Sequence, residues 1–225
     1  MSIAGRLADV RARVERAARA AGRSPDAIQL VAVSKTKSTD AIREAYAAGQ
    51  RAFGESYAQE LAAKAEALRD LAEIEWHFIG HLQSNKAKVA AQYAHVVQTV
   101  DSVSLARDLG GRAARGRSTP LPVLVEVNSS AEPQKAGAAP SEIDEVVRAI
   151  QEQPWLALRG LMTVPRAGDL EAAWIAFDTL ALLRTLHGGA PALPELSMGM
   201  SSDLEVAIGC GATLVRVGTA IFGAR

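Results

Sequence analysis

Eight short apolar or β-branched runs, near residues 30–34, 51–53, 74–79, 96–100, 121–127, 157–162, 195–197 and 213–217, alternate with helical patterns along this chain. The helical stretches fall near 39–48, 56–70, 84–93, 102–115, 140–152, 169–187 and 201–209, several of them opened by Ser, Thr or Asp at a capping position. Gly49 and Gly188 stand where a left-handed residue ends a helix. Strands separated by crossover helices run parallel, and eight such units in 225 residues match an α/β (β/α)8 TIM barrel, one domain covering residues 1–225. An open doubly wound sheet is the alternative. Ahead of the first strand, Ile3, Leu7, Val10, Val14, Ala17 and Ala21 recur every three or four residues. The barrel is therefore expected to carry an extra N-terminal helix docked on its core, with the six arginines of residues 2–23 on a solvated face.

Composition narrows the function classes. Lys+Arg and Asp+Glu balance at 25 each, so no global field draws the chain to nucleic acid or to an anionic membrane. No apolar stretch approaches the roughly 20 residues that span a bilayer, and the N-terminus lacks a continuous apolar signal core. Cys210 is the one cysteine, which excludes an internal disulfide and a cysteine-rich metal site and fits a reducing compartment, so a cytoplasmic location is expected. His81, His95 and His187 show no metal-ligand spacing beside a carboxylate cluster, and no metal is expected. Trp155 and Trp174 read as packing residues.

In such a barrel the working groups lie at the C-terminal ends of the strands. Strand one ends at Lys35, where a buried run gives way to polar residues. Partial burial disfavours an ammonium, and the neutral amine is the form that condenses with a carbonyl; a solvated surface lysine beginning a loop is the plain alternative from this segment alone. At the end of strand eight, Gly218-Thr219 precedes Ala220-Ile221-Phe222, a strand-to-helix turn whose free N–H groups can cradle an anion. Ser201, opening a helix from strand seven, would add a hydroxyl and capping amides; for both turns simple helix capping is the plain alternative. Together, an amine at strand one and a phosphate cup at strands seven and eight suit a small phosphorylated carbonyl compound, of which pyridoxal 5'-phosphate is the obvious candidate. Arg216, two residues before the cup, would lie near the ring nitrogen and keep it unprotonated, weakening the ring as an electron sink. His77 lies on strand three opposite Trp76 and Phe78 in parity, and faces either the barrel interior or the helices. Met198 is a candidate ring contact or core filler.

Six ordered motifs carry a resemblance over nearly the whole chain. They are Val31-Ala32-Val33-Ser34-Lys35-Thr36, Phe53-Gly54-Glu55-Ser56-Tyr57-Ala58-Gln59-Glu60, Trp76 through Lys86, Gly160-Leu161-Met162, Leu196 through Ser201, and Val215 through Gly223. With them the chain resembles the YggS/PROSC-type pyridoxal phosphate homeostasis proteins. The resemblance implies a fold similar to the N-terminal domain of alanine racemase and pyridoxal phosphate held as a Schiff base on Lys35. It also implies phosphate contacts from Ser201, Gly218 and Thr219, with Arg216 facing the pyridine nitrogen. The family binds and passes on the cofactor, without an established turnover and with apo-enzymes as expected recipients. A low-activity amino-acid racemase is the alternative. Racemisation needs a base on each face of the substrate, and only nine residues follow Arg216, too few for the extra domain that supplies the second base in the racemase. A monomer is expected, since no long exposed apolar stripe stands out. The family pattern Gly-Glu-Asn-Tyr reads Gly54-Glu55-Ser56-Tyr57 here, so a shorter hydroxyl replaces an amide. Lys135 with Gly137 looks like the family's Lys-x-Gly loop, as a secondary cofactor site or a solvated lysine.

Overall fold

The computed structural model describes residues 1–129, 136–166 and 168–223. Among them, eight parallel strands form a closed barrel in sequence order. They are β1 (Gln29–Val33), β2 (Ala52–Glu55), β3 (Glu75–Phe78), β4 (Val96–Val100), β5 (Leu121–Glu126), β6 (Leu156–Met162), β7 (Glu195–Ser197) and β8 (Leu214–Val217). The helices are α1 (Ile3–Ala20), α2 (Thr39–Ala47), α3 (Ala58–Ala67), α4 (Ala87–Tyr93), α5 (Val103–Gly116), α6 (Ile143–Gln151), α7 (Leu170–Leu186), α8 (Gly189–Ala192), α9 (Leu204–Gly209) and α10 (Thr219–Phe222). Closure is made by β1 against β8, with Val31 opposite Arg216 and Ala32 opposite Val217, which excludes the open doubly wound sheet. Gly49 and Gly188 do take positive φ, at 85° and 97°.

Each strand divides its side chains between two environments. Trp76, Phe78, Phe53 and Leu196 enter the large core between strands and helices, while Val31, Ala52 and Leu214, and separately Val96, Leu124 and Met162, pack as small apolar clusters apart from it, inside the barrel. The interior is not wholly apolar, since Gln98, His77, Ser197 and Arg216 are buried there too. That mixture is unusual for a barrel core, where branched aliphatic side chains dominate, and it marks the upper interior as a place where polar groups are held for a purpose.

Helix α1 starts at the cap Ser2, whose hydroxyl accepts the Gly5 N–H, and buries Ile3, Leu7, Val10, Val14 and Ala18. Ala18 is the last buried residue of the stripe, Ala17 packs partly buried against the same core, and Ala21 is exposed at the C-terminal cap. The arginines of α1 do more than meet solvent. Arg6 Nε donates to the Ile221 carbonyl at 2.6 Å, Arg13 pairs with Glu205 at 2.9 Å and donates to the Ser201 carbonyl at 3.0 Å, and Arg23, just beyond the helix, donates to the Ile208 carbonyl at 2.9 Å. The N-terminal helix is thereby fastened to the turns that follow β7 and β8.

Helix α7 departs from expectation. Leu170, Trp174, Ile175, Leu182 and Leu186 are all exposed, Trp174 at 52% and Leu186 at 70%, so Trp174 is not a packing residue and an exposed apolar stripe is present after all. No helix among the described residues is long and apolar enough to cross a membrane.

Candidate cofactor site

Lys35 follows the last β1 ladder bond, in which the Ser34 N–H donates to the Gly54 carbonyl at 2.9 Å. It shares the parity of Val31, which packs inside the barrel, and is partly exposed. Among the described residues its amine has no hydrogen-bond or ion-pair partner. The loop it opens reaches the neighbouring seam, where Lys37 Nζ donates to the Gly223 carbonyl at 3.1 Å.

Across that seam lies the turn after β8. The Gly218 carbonyl accepts from the Ile221 and Phe222 amides, both at 2.9 Å, which closes the short α10 and leaves the Thr219 and Ala220 amides without a backbone acceptor among the described residues. Gly218 lies close to β1: a Cβ there would stand 3.3 Å from both Cβ and the carbonyl oxygen of Val33, a contact that Val33 would have to yield to by a few tenths of an ångström. Thr219 is exposed at the mouth.

The turn after β7 is built differently from expectation. Helix α9 begins at Leu204, not near residue 201, because Asp203 is 4% exposed and its carboxylate accepts the Met200 N–H at 2.5 Å. Gly199, with φ +94° and a would-be Cβ 2.5 Å from the Ala207 Cβ, makes the preceding bend. Ser201 therefore sits in a loop rather than at a cap, its carbonyl held by Arg13, and the Ser201 and Ser202 amides have no backbone acceptor among the described residues.

Arg216 is 4% exposed and fully directed. Its Nη1 donates to Ser197 Oγ at 2.5 Å and its Nη2 to the Thr163 carbonyl at 2.8 Å. Ser197 passes its one hydroxyl proton to Gln98 Oε1 at 2.6 Å, which turns Gln98 Nε2 toward His77 Nδ1 at 2.8 Å. That nitrogen must accept, so the ring proton of His77 sits on Nε2, 3.4 Å from Glu75 Oε1 and too poorly aligned to bond. His77 thus faces the interior yet sits two relays below Arg216; it orients the guanidinium rather than reaching the mouth. Met198 is turned the other way: it is fully buried in the core between strands and helices, on the opposite face of β7 from Ser197, and its side chain fills that core. Replacing His77 with alanine leaves Gln98 Nε2 without an acceptor, and a denaturant titration should register a loss of about 2–4 kcal/mol.

Two interior groups escaped the sequence reading. Gln98 could have been noticed as the lone amide in Val96-Val97-Gln98-Thr99-Val100. Glu126, on the interior parity of Leu124 at the end of β5, is 7% exposed and one of its carboxyl oxygens has no partner among the described residues. Burial, reinforced by Asp101 and opposed by Arg216, pushes its carboxyl up to about 7. Burial likewise pushes Arg216 down to about 10, against the pull of Glu126 and Asp203, so it stays charged at neutral pH. Ser56 is partly exposed beside the mouth, its carbonyl backed so tightly by Gly80 that a Cβ there would stand 2.1 Å away. Lys135 lies outside the described residues. No group of three or more His, Cys, Asp and Glu side chains among those described is placed to hold a metal.

The family model described as the alanine racemase N-terminal domain matches residues 6–225. A curated protein of Pseudomonas aeruginosa, named pyridoxal phosphate homeostasis protein, is 47% identical over 226 residues covering 100% of this chain and 96% of its own. The chain belongs to the pyridoxal phosphate homeostasis protein family. Its Escherichia coli K12 member is 44% identical, covering 99% of this chain and 97% of its own. Among solved structures, PipY of Synechococcus elongatus with pyridoxal phosphate bound superposes with a TM-score of 0.82 at 36% identity, covering 99% of this chain and 100% of that one. The eight-stranded barrel expected from the alternation of elements is thus the fold of the family.

Proposed function

We propose that this chain, as a single barrel domain, binds pyridoxal 5'-phosphate covalently on Lys35 and buffers or delivers it to apo-enzymes, without catalytic turnover. The observation that carries the reading is a primary amine without a partner among the described residues at the end of β1, beside a turn after β8 whose first amides have no backbone acceptor among them. When bound, the cofactor supplies an aldehyde with which a neutral amine condenses to a Schiff base. In this reading the amides and hydroxyls of Ser201, Gly218 and Thr219 hold the phosphate, which suits the close approach that Gly218 permits.

Arg216 faces the ring nitrogen. Its charge, kept at neutral pH, disfavours protonation of that nitrogen and so favours storage over carbanion chemistry. His77 serves through Arg216, and Met198 has no place in the set. The cytoplasm is the compartment this reading implies, and the unpaired Cys210 accords with it.

Borohydride reduction of the reconstituted protein should leave a pyridoxyl adduct on the Lys35 peptide, read by mass analysis. Lys35→Ala should lose both adduct and colour; an adduct confined to another lysine would sink the assignment. Racemisation of alanine at about 1 to 1,000 turnovers per second, the range of ordinary enzymes, is not expected.

A further inference from the structure

On the helix-facing side of β1 and β2 lies a buried ionic cluster that the cofactor site does not use. Lys64, on α3 and 7% exposed, has its Nζ 2.8 Å from each of three acceptors: the Ser34 carbonyl, Glu55 Oε1 and Glu60 Oε2. Ser34 Oγ donates to the same Glu55 oxygen at 2.6 Å. Glu60 reaches further, accepting the backbone N–H of Thr36 at 2.8 Å. The cluster therefore holds Ser34 and Thr36, the two residues that flank Lys35, through atoms of their backbone. Thr36 is also the one non-glycine residue among those described with positive φ, at 64°, a conformation a β-branched residue adopts only when its surroundings impose it.

Charge in the cluster is tightly held. Burial pushes the Glu55 carboxyl up, against the hydrogen bonds from Lys64 and Ser34. Burial would raise Glu60 as well, but its bonds from Lys64 and the Thr36 amide outweigh that and hold it below the usual carboxylate range. Glu60 thus stays ionised as the acceptor that ties the Thr36 amide to Lys64.

We propose that Lys64 is a positioning residue for the Lys35 amine, acting through Glu60 and the backbone of Ser34 and Thr36 to hold the amine in the attitude for covalent capture of an aldehyde. The proposal rests on Lys35 being the tether. Covalent capture depends steeply on the attack geometry, so loosening the turn on both sides of Lys35 slows capture even in a folded protein. A residue that merely stabilises α3 would change stability and leave the capture rate of the folded population untouched.

The test compares wild type, Lys64→Met, Glu60→Ala and Glu60→Gln. Glu60 is more exposed than Lys64, so Glu60→Ala frees the Thr36 amide in a chain that should fold even if Lys64→Met does not. Glu60→Gln keeps an acceptor for that amide and serves as the rescue. The rate of the absorbance change on mixing each folded protein with pyridoxal 5'-phosphate is measured alongside the thermal midpoint. Capture should slow about tenfold in Glu60→Ala, with Lys64→Met at least as slow where it folds, and Glu60→Gln within about twofold of wild type. Capture by Glu60→Ala within twofold of wild type overturns the inference, as does equal slowing by Glu60→Gln. Wild type that leaves no adduct on Lys35 after reduction fails the tether itself, an outcome distinct from an adduct formed equally fast in all variants.

Discussion

Arg216→Met is expected to cost about 3–5 kcal/mol of stability at pH 8 and distinctly less at pH 5, because the variant strands a buried carboxylate only at the higher pH. The side chain it removes is 4% exposed and donates to Ser197 and to the Thr163 carbonyl. Its charge also opposes the upward push that burial gives the Glu126 carboxyl. Without it, that carboxyl titrates higher still, and at pH 8 the folded state must either keep a proton that the unfolded chain has released or bury a carboxylate with no counter-charge. At pH 5 Glu126 is neutral in both proteins, and the loss is limited to the hydrogen bonds to Ser197 and Thr163. Urea titrations at the two pH values measure the difference, and equal losses would show that Arg216 and Glu126 are not coupled. Borohydride trapping on the folded fraction then reports whether cofactor capture also needs the guanidinium.

Glu126→Gln carries the second large effect, of opposite sign. In the folded chain the carboxyl lies at about 7, above its ordinary value of 4.5. A carboxyl raised on folding contributes stability that is complete below about 4.5 and is lost as pH rises through about 7, since the folded state holds the proton more tightly than the unfolded one. The shift corresponds to about 3 kcal/mol lost by pH 8. Glutamine does not ionise, so Glu126→Gln should match wild type near pH 4.5 and exceed it by about 3 kcal/mol at pH 8, the pull of Arg216 being already contained in the value of about 7. A thermal midpoint that differs from wild type by the same amount at both pH values would contradict the assignment. Combining the variant with Arg216→Met should remove most of the pH dependence of that second substitution.

The alternation of elements was legible because strand and helix periods differ, and the N-terminal stripe of α1 was readable in the same way. Boundaries were less so: α9 begins at Leu204 rather than near residue 201, because the Asp203 carboxylate takes the Met200 amide and holds the preceding turn outside the helix. Parity on β3 and β7 is visible in the sequence, but which face meets the interior is decided only by the neighbouring strands, so sequence alone does not settle the facing of His77 and Met198. Gln98, Glu126 and Lys64 went unread for a common reason. Each acquires its meaning from partners on other elements, and a single strand or helix pattern cannot display a hydrogen bond from β4 to β7 or from α3 to the end of β1. The exposure of Trp174 was equally hidden, since α7 is apolar around most of its circumference and periodicity alone does not choose its buried face.

The seam between β1 and β8 also sets the order in which the chain can become itself on the ribosome. Val31 pairs with Arg216, Arg6 with the Ile221 carbonyl and Arg13 with Glu205, contacts that span close to the full length of the described chain. Synthesis delivers the N-terminus first, so α1 emerges with its apolar stripe uncovered and waits until α9, β8 and α10 have been made. Such long-range closure is slow, and it leaves the Lys35 turn and the Gly218 turn apart until the final step. A nascent chain that has made every helix through α7 but not β8 would accordingly lack the seam on which the cup depends, and cofactor added during translation would be captured only after the last strand has emerged.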